Sequence, residues 1–307
     1  MFAPANDSRK SLKAIGIGAS AVCLDLEDAV AQTEKAAARV IVTETLQDAS
    51  VVGAQVHVRI NGVETEFSDA DLDALAPSLP RLAGLLIPMV ESPDHVRHVA
   101  DRLDALEREQ GLEAGAIRLI AIAETAKGVL AASAVAASTP RLRTLLLGPA
   151  DLSLDLGVEL TADGYELFHV RSHLVLAARA AGLEQPIDGP YLGLSDDEGC
   201  ATAATWARRL GFQGKMVLHP RQLPIVAGVF APSADEVAWA NAVVAAFAEN
   251  EAKGISAFKM EDGTFVDYPV VFRAQSILRD AGTLEPPAAA NSRRRSALLW
   301  GQTPKKC

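Results

Sequence analysis

The sequence predicts an α/β protein, a (β/α)8 TIM barrel followed by a helical C-terminal arm, and three observations carry that reading. Short apolar runs alternate with longer Ala- and Leu-rich stretches at helical spacing, the rhythm of βαβ units around a parallel sheet. The runs number eight, the count that closes such a barrel. Most of them also end in a polar or charged residue, and the carboxyl ends of barrel strands are where active sites are built. A doubly wound open sheet is the structural alternative, because short strands are easily miscounted.

The first run, MFAPA (1–5), opens the chain with no lead-in, which predicts a few further residues upstream. The second, AVCLDLED (21–28), passes from apolar positions into Asp25, Glu27 and Asp28. Carboxylates beside a core are costly unless paired, hydrogen-bonded or bound to a cation, so this cluster points to a site. VHVRIN (56–61) delivers Arg59 to the same rim, and GLLIPMVES (84–92) delivers Glu91. A helix-like stretch at 93–110 leads to IRLIAIAET (117–125), ending at Glu124; the Ala-rich 126–138 leads to TLLLGPAD (144–151), ending at Asp151. QPIDGP (185–190) carries Asp188, and after a helix over 196–210 the last run, GKMVLHP (214–220), carries His219.

From about 230 the rhythm stops. Residues 232–254 read as one long helix with Ser233 as its N-cap. Residues 257–271 place a Glu-Asp-Gly turn between two short strand-like pieces, and another helix spans 268–280. The expected organisation is a catalytic barrel over 1–228, an arm over 229–284, and a loosely ordered tail over 285–307 rich in Pro, Ala and basic residues. The arm cannot be barrel wall; it packs beneath it or reaches a neighbouring subunit.

Hydrophobic residues make up 49% of the 307, enough to fill a large core. A net charge of −10 argues against nucleic acid or an anionic membrane as the main partner. Cys23, Cys200 and Cys307 lie far apart with no CxxC pair, as in a reducing compartment, and no apolar run approaches the ~18 residues of a membrane span. A cytoplasmic location is the expectation.

Glu124 and Asp151 are the best metal-ligand candidates. Hard oxygen donors without a Cys or His partner suit Mg²⁺ or Mn²⁺, with Glu27 and Asp28 holding the ion's waters. Salt bridges between these acids and Arg59 are the competing reading. Arg59 either binds a carboxylate or oxyanion through its planar fork or serves as an internal partner of the acids. Other signals carry less. GIGASA (16–21) has dinucleotide-fingerprint spacing but precedes its strand, so the phosphate-cradling geometry is absent. The His95/His98 and His169/His173 pairs sit in ordinary amphipathic helix, Cys23 reads as core, and no Ser/His/Asp arrangement emerges.

In order along the chain, FAPAN, CLDLEDAV, VRINGVETEF, IPMVES, AETAKG, LGPADLSLDLG, DGPYLGLSDDEG, GFQGKMVLHP and DGTFVDYPVV resemble the HpcH/HpaI aldolase and citrate lyase β-subunit superfamily, especially its malyl-CoA and citramalyl-CoA lyases. The resemblance runs from residue 2 to about 280. It implies a barrel that forms homotrimers or hexamers, with the arm passed to a neighbour. It also implies Mg²⁺ on Glu124 and Asp151 with Glu27 and Asp28 near its waters, and a CoA thioester substrate. Arg59 would meet the thioester or enolate oxygen, Arg9 and Lys10 the CoA phosphates, and Asp267 would exchange a proton with the acetyl-CoA methyl group of the adjacent site. Three positions depart from the family pattern: Ala5 at a glycine, Asp7 at a frequent arginine and Met89 at a usual lysine. The expected activity is Mg-dependent cleavage of a 3-hydroxyacyl-CoA to acetyl-CoA and pyruvate or glyoxylate. The alternatives are a citrate lyase β subunit working on an acyl-carrier-protein thioester and a non-catalytic CoA-ester-binding paralogue.

Overall fold

Eight parallel strands follow one another in sequence order, each hydrogen-bonded to the next: β1 (Phe2–Pro4), β2 (Val22–Asp25), β3 (Val56–Arg59), β4 (Gly84–Ile87), β5 (Arg118–Ala123), β6 (Leu142–Leu147), β7 (Ile187–Asp188) and β8 (Gly214–Lys215). Just past β8 the Val217 carbonyl accepts from the Phe2 N–H at 3.0 Å, which joins the last strand segment to the first. That order and closure exclude the doubly wound sheet. The computed structural model describes residues 1–48, 51, 55–161 and 163–284; it divides into a unit from Met1 to Phe230 and a second from Ala231 onward.

Helices α1 (Ser8–Ile15), α2 (Lys35–Gln47), α3 (Ser68–Leu75), α4 (Pro93–Glu109), α5 (Ala126–Ala136), α6 (Pro149–Leu156), α7 (Phe168–Ala180), α8 (Asp197–Leu210) and α9 (Gln222–Phe230) complete the first unit. Outward strand residues such as Leu24, Val58, Leu85 and Leu119 are fully buried with the helices in the main core. Inward residues Cys23, Leu86, Ile120, Ile122 and Leu146 form a separate cluster inside the barrel. Both strand faces are buried, which is why the strands read as unbroken apolar runs instead of alternating ones.

The strands stop earlier than the apolar runs suggested. Pro149, with its fixed φ and missing N–H, starts α6, so Asp151 lies in the first turn of a helix and not at a strand end. Gly16 caps α1 and Gly18 turns the chain at φ 83° before β2, so GIGASA is a helix-to-strand turn. Asp188 does not reach the rim. With Ile187 turned inward, Asp188 faces the helices, fully buried, and accepts from Arg171 Nε of α7 at 3.0 Å and from Lys215 Nζ at 2.5 Å. Cys23 and Cys200 are buried free thiols. Among the described residues no helix is long and apolar enough to cross a membrane.

The second unit holds α10 (Ala234–Glu251), an antiparallel pair β9 (Phe258–Lys259) and β10 (Phe265–Val266), and α11 (Tyr268–Asp280). Ser233 and Glu236 form a reciprocal capping box at the start of α10, and Gly263 makes the hairpin turn at φ 91°. Ala240, Val243, Phe247, Val266 and Leu278 supply its own small core. The expected tail, 285–307, lies outside the described residues.

Two outcomes follow from the buried charges. Asp188→Ala strands Lys215 and Arg171 without a counter-ion and should cost about 3–5 kcal/mol in urea unfolding, against at most about 1 kcal/mol for Arg143→Ala, whose pair with Glu184 is exposed. His57 of β3 is buried, and burial first, then the charge of Arg143, lowers its pKa to about 4. The unfolded chain takes up this proton near pH 6.5, so stability present above that pH drains away as pH falls toward 4. His57→Leu should flatten this window of the stability curve; an unchanged curve would show that His57 does not titrate there.

Candidate active site

Asp25, at the end of β2, and Arg59, at the end of β3, are register partners on adjacent strands, and both point inward. Arg59 Nε donates to Asp25 Oδ1 at 2.7 Å and Nη2 to Oδ2 at 2.6 Å, a two-pronged pair with both side chains nearly buried. The remaining nitrogen, Nη1, lies 2.6 Å from Glu27 Oε2 and 3.5 Å from Asp28 Oδ2. The Phe2 ring sits 5.4 Å from the guanidinium carbon, a cation–π contact. Asp25 also accepts from the backbone N–H groups of Glu27 and Ala29 at 3.0 and 3.1 Å, which wraps the turn after β2 around its carboxylate.

This turn has a second support that sequence reasoning missed. Buried Lys35, the first residue of α2, donates to the carbonyls of Leu26 and Glu27, both at 2.7 Å. Asn61 donates to the Leu26 carbonyl at 3.1 Å and to Asp71 at 2.6 Å, and Asp71 is held in turn by Arg39 at 2.7 Å. Nothing in the sequence pattern marks Lys35, Arg39 or Asp71; only Asn61, just beyond Arg59, lies where rim residues are expected.

Across the barrel mouth stand Glu124 and Asp151. Glu124 is 2% exposed, and its Oε1 accepts from the Met89 backbone N–H at 2.7 Å. Met89 adopts φ 52°, the left-handed region that disfavours ordinary side chains, and is the one such non-glycine among the described residues. On the other side Gly148 is required by space: a Cβ there would collide with the Glu124 carboxylate. Burial first, then the charges of Asp151 and Asp28 against the pull of the Met89 N–H and Arg59, raises the Glu124 pKa to about 7. Burial likewise lifts Glu27 to about 8, and burial followed by the Asp28 charge lifts Asp151.

Asp25, Asp28, Arg59, Glu124, Gly148 and Asp151 line one cavity of about 370 Å³. Its acids outnumber its single arginine, two of whose nitrogens are already taken by Asp25. Desolvated carboxylates with surplus negative charge call for a cation, and an all-oxygen donor set suits a hard divalent ion. Among the described residues no three His, Cys, Asp or Glu side chains gather into a complete cage.

Other expected residues lie elsewhere. Glu91 pairs with Lys127 at 2.9 Å, and His219 accepts from the Arg221 N–H at 3.1 Å. His95 and His98 meet Glu64 and Asp69, and His169 and His173 stack on α7 with ring centres 6.3 Å apart. Arg9 and Lys10 are exposed on α1, outside the cavity lining, with Lys10 3.4 Å from the N-capping Asp7. Asp267 belongs to the second unit and caps α11 by accepting from the Val270 N–H at 3.2 Å.

A family profile described as HpcH/HpaI aldolase/citrate lyase matches residues 1–220. The chain is 34% identical to citrate lyase subunit beta of Leuconostoc mesenteroides subsp. cremoris, covering 91% of each. It is 30% identical to mitochondrial citramalyl-CoA lyase of Rattus norvegicus, over 93% of this chain and 86% of that protein. It is also 36% identical to (3S)-malyl-CoA thioesterase of Cereibacter sphaeroides, over 92% and 93%. Among solved structures, CitE of Mycobacterium tuberculosis in complex with magnesium, acetoacetate and coenzyme A superposes with a TM-score of 0.73 at 34% identity, over 92% and 96% of the two chains.

The seat of Glu124 can be tested by filling the space beside it. Gly148→Ala should displace the carboxylate and weaken Mn²⁺ binding, read by calorimetry, by about tenfold or more while circular dichroism stays unchanged. Unaltered binding in folded protein would remove Glu124 from the ligand set.

Proposed function

The chain belongs to the HpcH/HpaI aldolase/citrate lyase family, and from that premise we propose that it is a Mg²⁺-dependent carbon–carbon lyase cleaving citramalyl-CoA or malyl-CoA to acetyl-CoA and pyruvate or glyoxylate. One observation carries the reading: surplus carboxylates, Glu124 and Asp151, face a pinned guanidinium, Arg59, within one cavity. An α-hydroxy acid needs a cation for its carboxylate and hydroxyl, and the departing thioester needs a positive group for its enolate. The cavity offers Glu124 and Asp151 to hold the first and Arg59 as the second.

Glu124 and Asp151 would hold the Mg²⁺, and Glu27 and Asp28 would orient its waters. An ion held by Glu124 and Asp151 would supply positive charge near the substrate's hydroxyl oxygen. The hydroxyl proton would leave to a water held by Glu27 and Asp28, and as the carbon–carbon bond breaks its electron pair would move to the thioester side. Arg59 stabilises that developing oxyanion; because Asp25 fixes its plane, little reorganisation is needed at that moment. Asp267 from a neighbouring copy would then return a proton to the enolate carbon as general acid, and the homo-oligomer, a trimer or hexamer, would exist to bring it there. Arg9 and Lys10, exposed at the start of α1, would meet the CoA phosphates.

The relative named as a thioesterase favours a second reading, hydrolysis of the thioester to malate and free CoA. The relative named as citrate lyase subunit beta favours a third, action on a carrier-protein thioester.

Purified protein with (S)-citramalyl-CoA or L-malyl-CoA should release acetyl-CoA with Mg²⁺ and none with EDTA. Free thiol in place of acetyl-CoA would establish the hydrolase, and silence on both substrates in folded protein would move the assignment to the carrier-protein subunit or a non-catalytic paralogue. Asp267→Asn should cut turnover by about 10²–10⁴-fold with CoA-ester binding and melting temperature retained, because asparagine caps a helix as well as aspartate does. Full activity in that variant would dismiss Asp267 as the acid.

A further inference from the structure

A second cavity, of about 390 Å³, opens at the opposite end of the barrel. Its walls come from the beginnings of the strands, among them Val22, His57, Thr144 and Gly214, and from α9 through Val226 and Ala227. Phe2, Leu146 and Met216 border both cavities and form a partition between them. An apolar cavity of roughly 150 Å³ stays dry and takes up benzene, so this one is large enough for a compact organic molecule.

Three observations describe what would fit. The inner wall is apolar, with Cys23, Leu86, Ile120 and Ile187 packed around it. The charged side chains along it are already matched: Arg143 pairs with Glu184 at 2.9 Å, and Lys215 with buried Asp188 at 2.5 Å. The Met1 ammonium, which also lines the wall, donates to the Ala21 carbonyl at 2.7 Å. One polar atom is left over. His57 is only 5% exposed, and its Nε2 has no hydrogen-bond partner among the described residues.

The Gln55 backbone lies near enough to His57 to oppose part of the fall in its pKa. In the neutral ring Nε2 is either the donor or the acceptor, and a hydroxyl can satisfy it in both cases. The lowered pKa of His57 keeps it neutral at physiological pH. A buried polar nitrogen without a partner is costly; a Cβ at Gly84 would collide first with the Arg118 carbonyl and lie 3.2 Å from the imidazole.

We infer that this cavity is a second binding site, for a small neutral compound with an aromatic or branched aliphatic body and one hydroxyl that hydrogen-bonds to His57 Nε2. It is separate from the carboxylate site and stands whatever reaction that site performs.

The test uses phenol and toluene, two rings that differ by the hydroxyl, titrated into the full chain and followed by calorimetry and ligand-observed NMR. Phenol should bind saturably, and about tenfold more tightly than toluene, the advantage of one buried hydrogen bond. His57→Leu should erase that advantage, and Ala227→Trp, which fills the cavity from α9 and leaves His57 in place, should abolish binding of both. Absence of saturable phenol binding to the parent protein would mean that water alone satisfies His57 and would overturn the proposal. Binding that survives Ala227→Trp would overturn it too, by placing the ligand elsewhere; this variant decides the question even where His57→Leu does not fold.

Discussion

The paired carboxylate and guanidinium of Asp25 and Arg59 hold this molecule's chemistry in place. They sit opposite each other on neighbouring strands, nearly out of water, where a charge without its partner is costly by several kcal/mol. The pair does more than neutralise itself. Asp25 gathers two backbone N–H groups and so shapes the turn that presents Glu27 and Asp28. Arg59 keeps one nitrogen for those acids and lies against the Phe2 ring. Phe2 belongs to the strand that closes the barrel onto Val217. Barrel closure and the placement of the site's only cation are thus parts of one arrangement.

Around that pair the electrostatic balance is deliberately unequal. Glu124 and Glu27 are lifted by burial to about 7 and 8, and Asp151 is lifted as well. Carboxyls so placed are poor anions without a cation and strong ligands with one. The support beneath them is bought with further buried polar groups: Lys35 and Asn61 tie down the carbonyls of the turn, while Asp71 anchors Asn61 and Arg39. Rigid positioning of this kind lets a charge developing during a reaction meet dipoles that are already oriented.

The barrel was legible because parallel strands buried on both faces advertise themselves as apolar runs, and each of the eight runs overlaps a strand. The long helix with its Ser233 cap and the hairpin turn at Gly263 were legible for equally local reasons. What escaped depended on direction. In a two-residue strand, periodicity cannot say which side chain points inward, and Asp188 turned out to serve the helix layer. Asp151 read as a strand end because its helix starts only two residues earlier, at Pro149. Asp25 looked like one acid among three, since nothing local shows which of them lies opposite Arg59. Gly148 contributes by what it lacks, and a missing Cβ leaves no chemical signature in a sequence.

Met89 carries a related lesson. The group that holds Glu124 there is a peptide N–H, which every amino acid except proline possesses, and the thioether takes no part in that bond. The chain needs from this position only a residue that tolerates φ near 52°. Its side chain, 42% exposed, can therefore change without disturbing the seat of Glu124. A methionine in place of the lysine expected there changes the decoration and leaves this backbone contact to Glu124 in place.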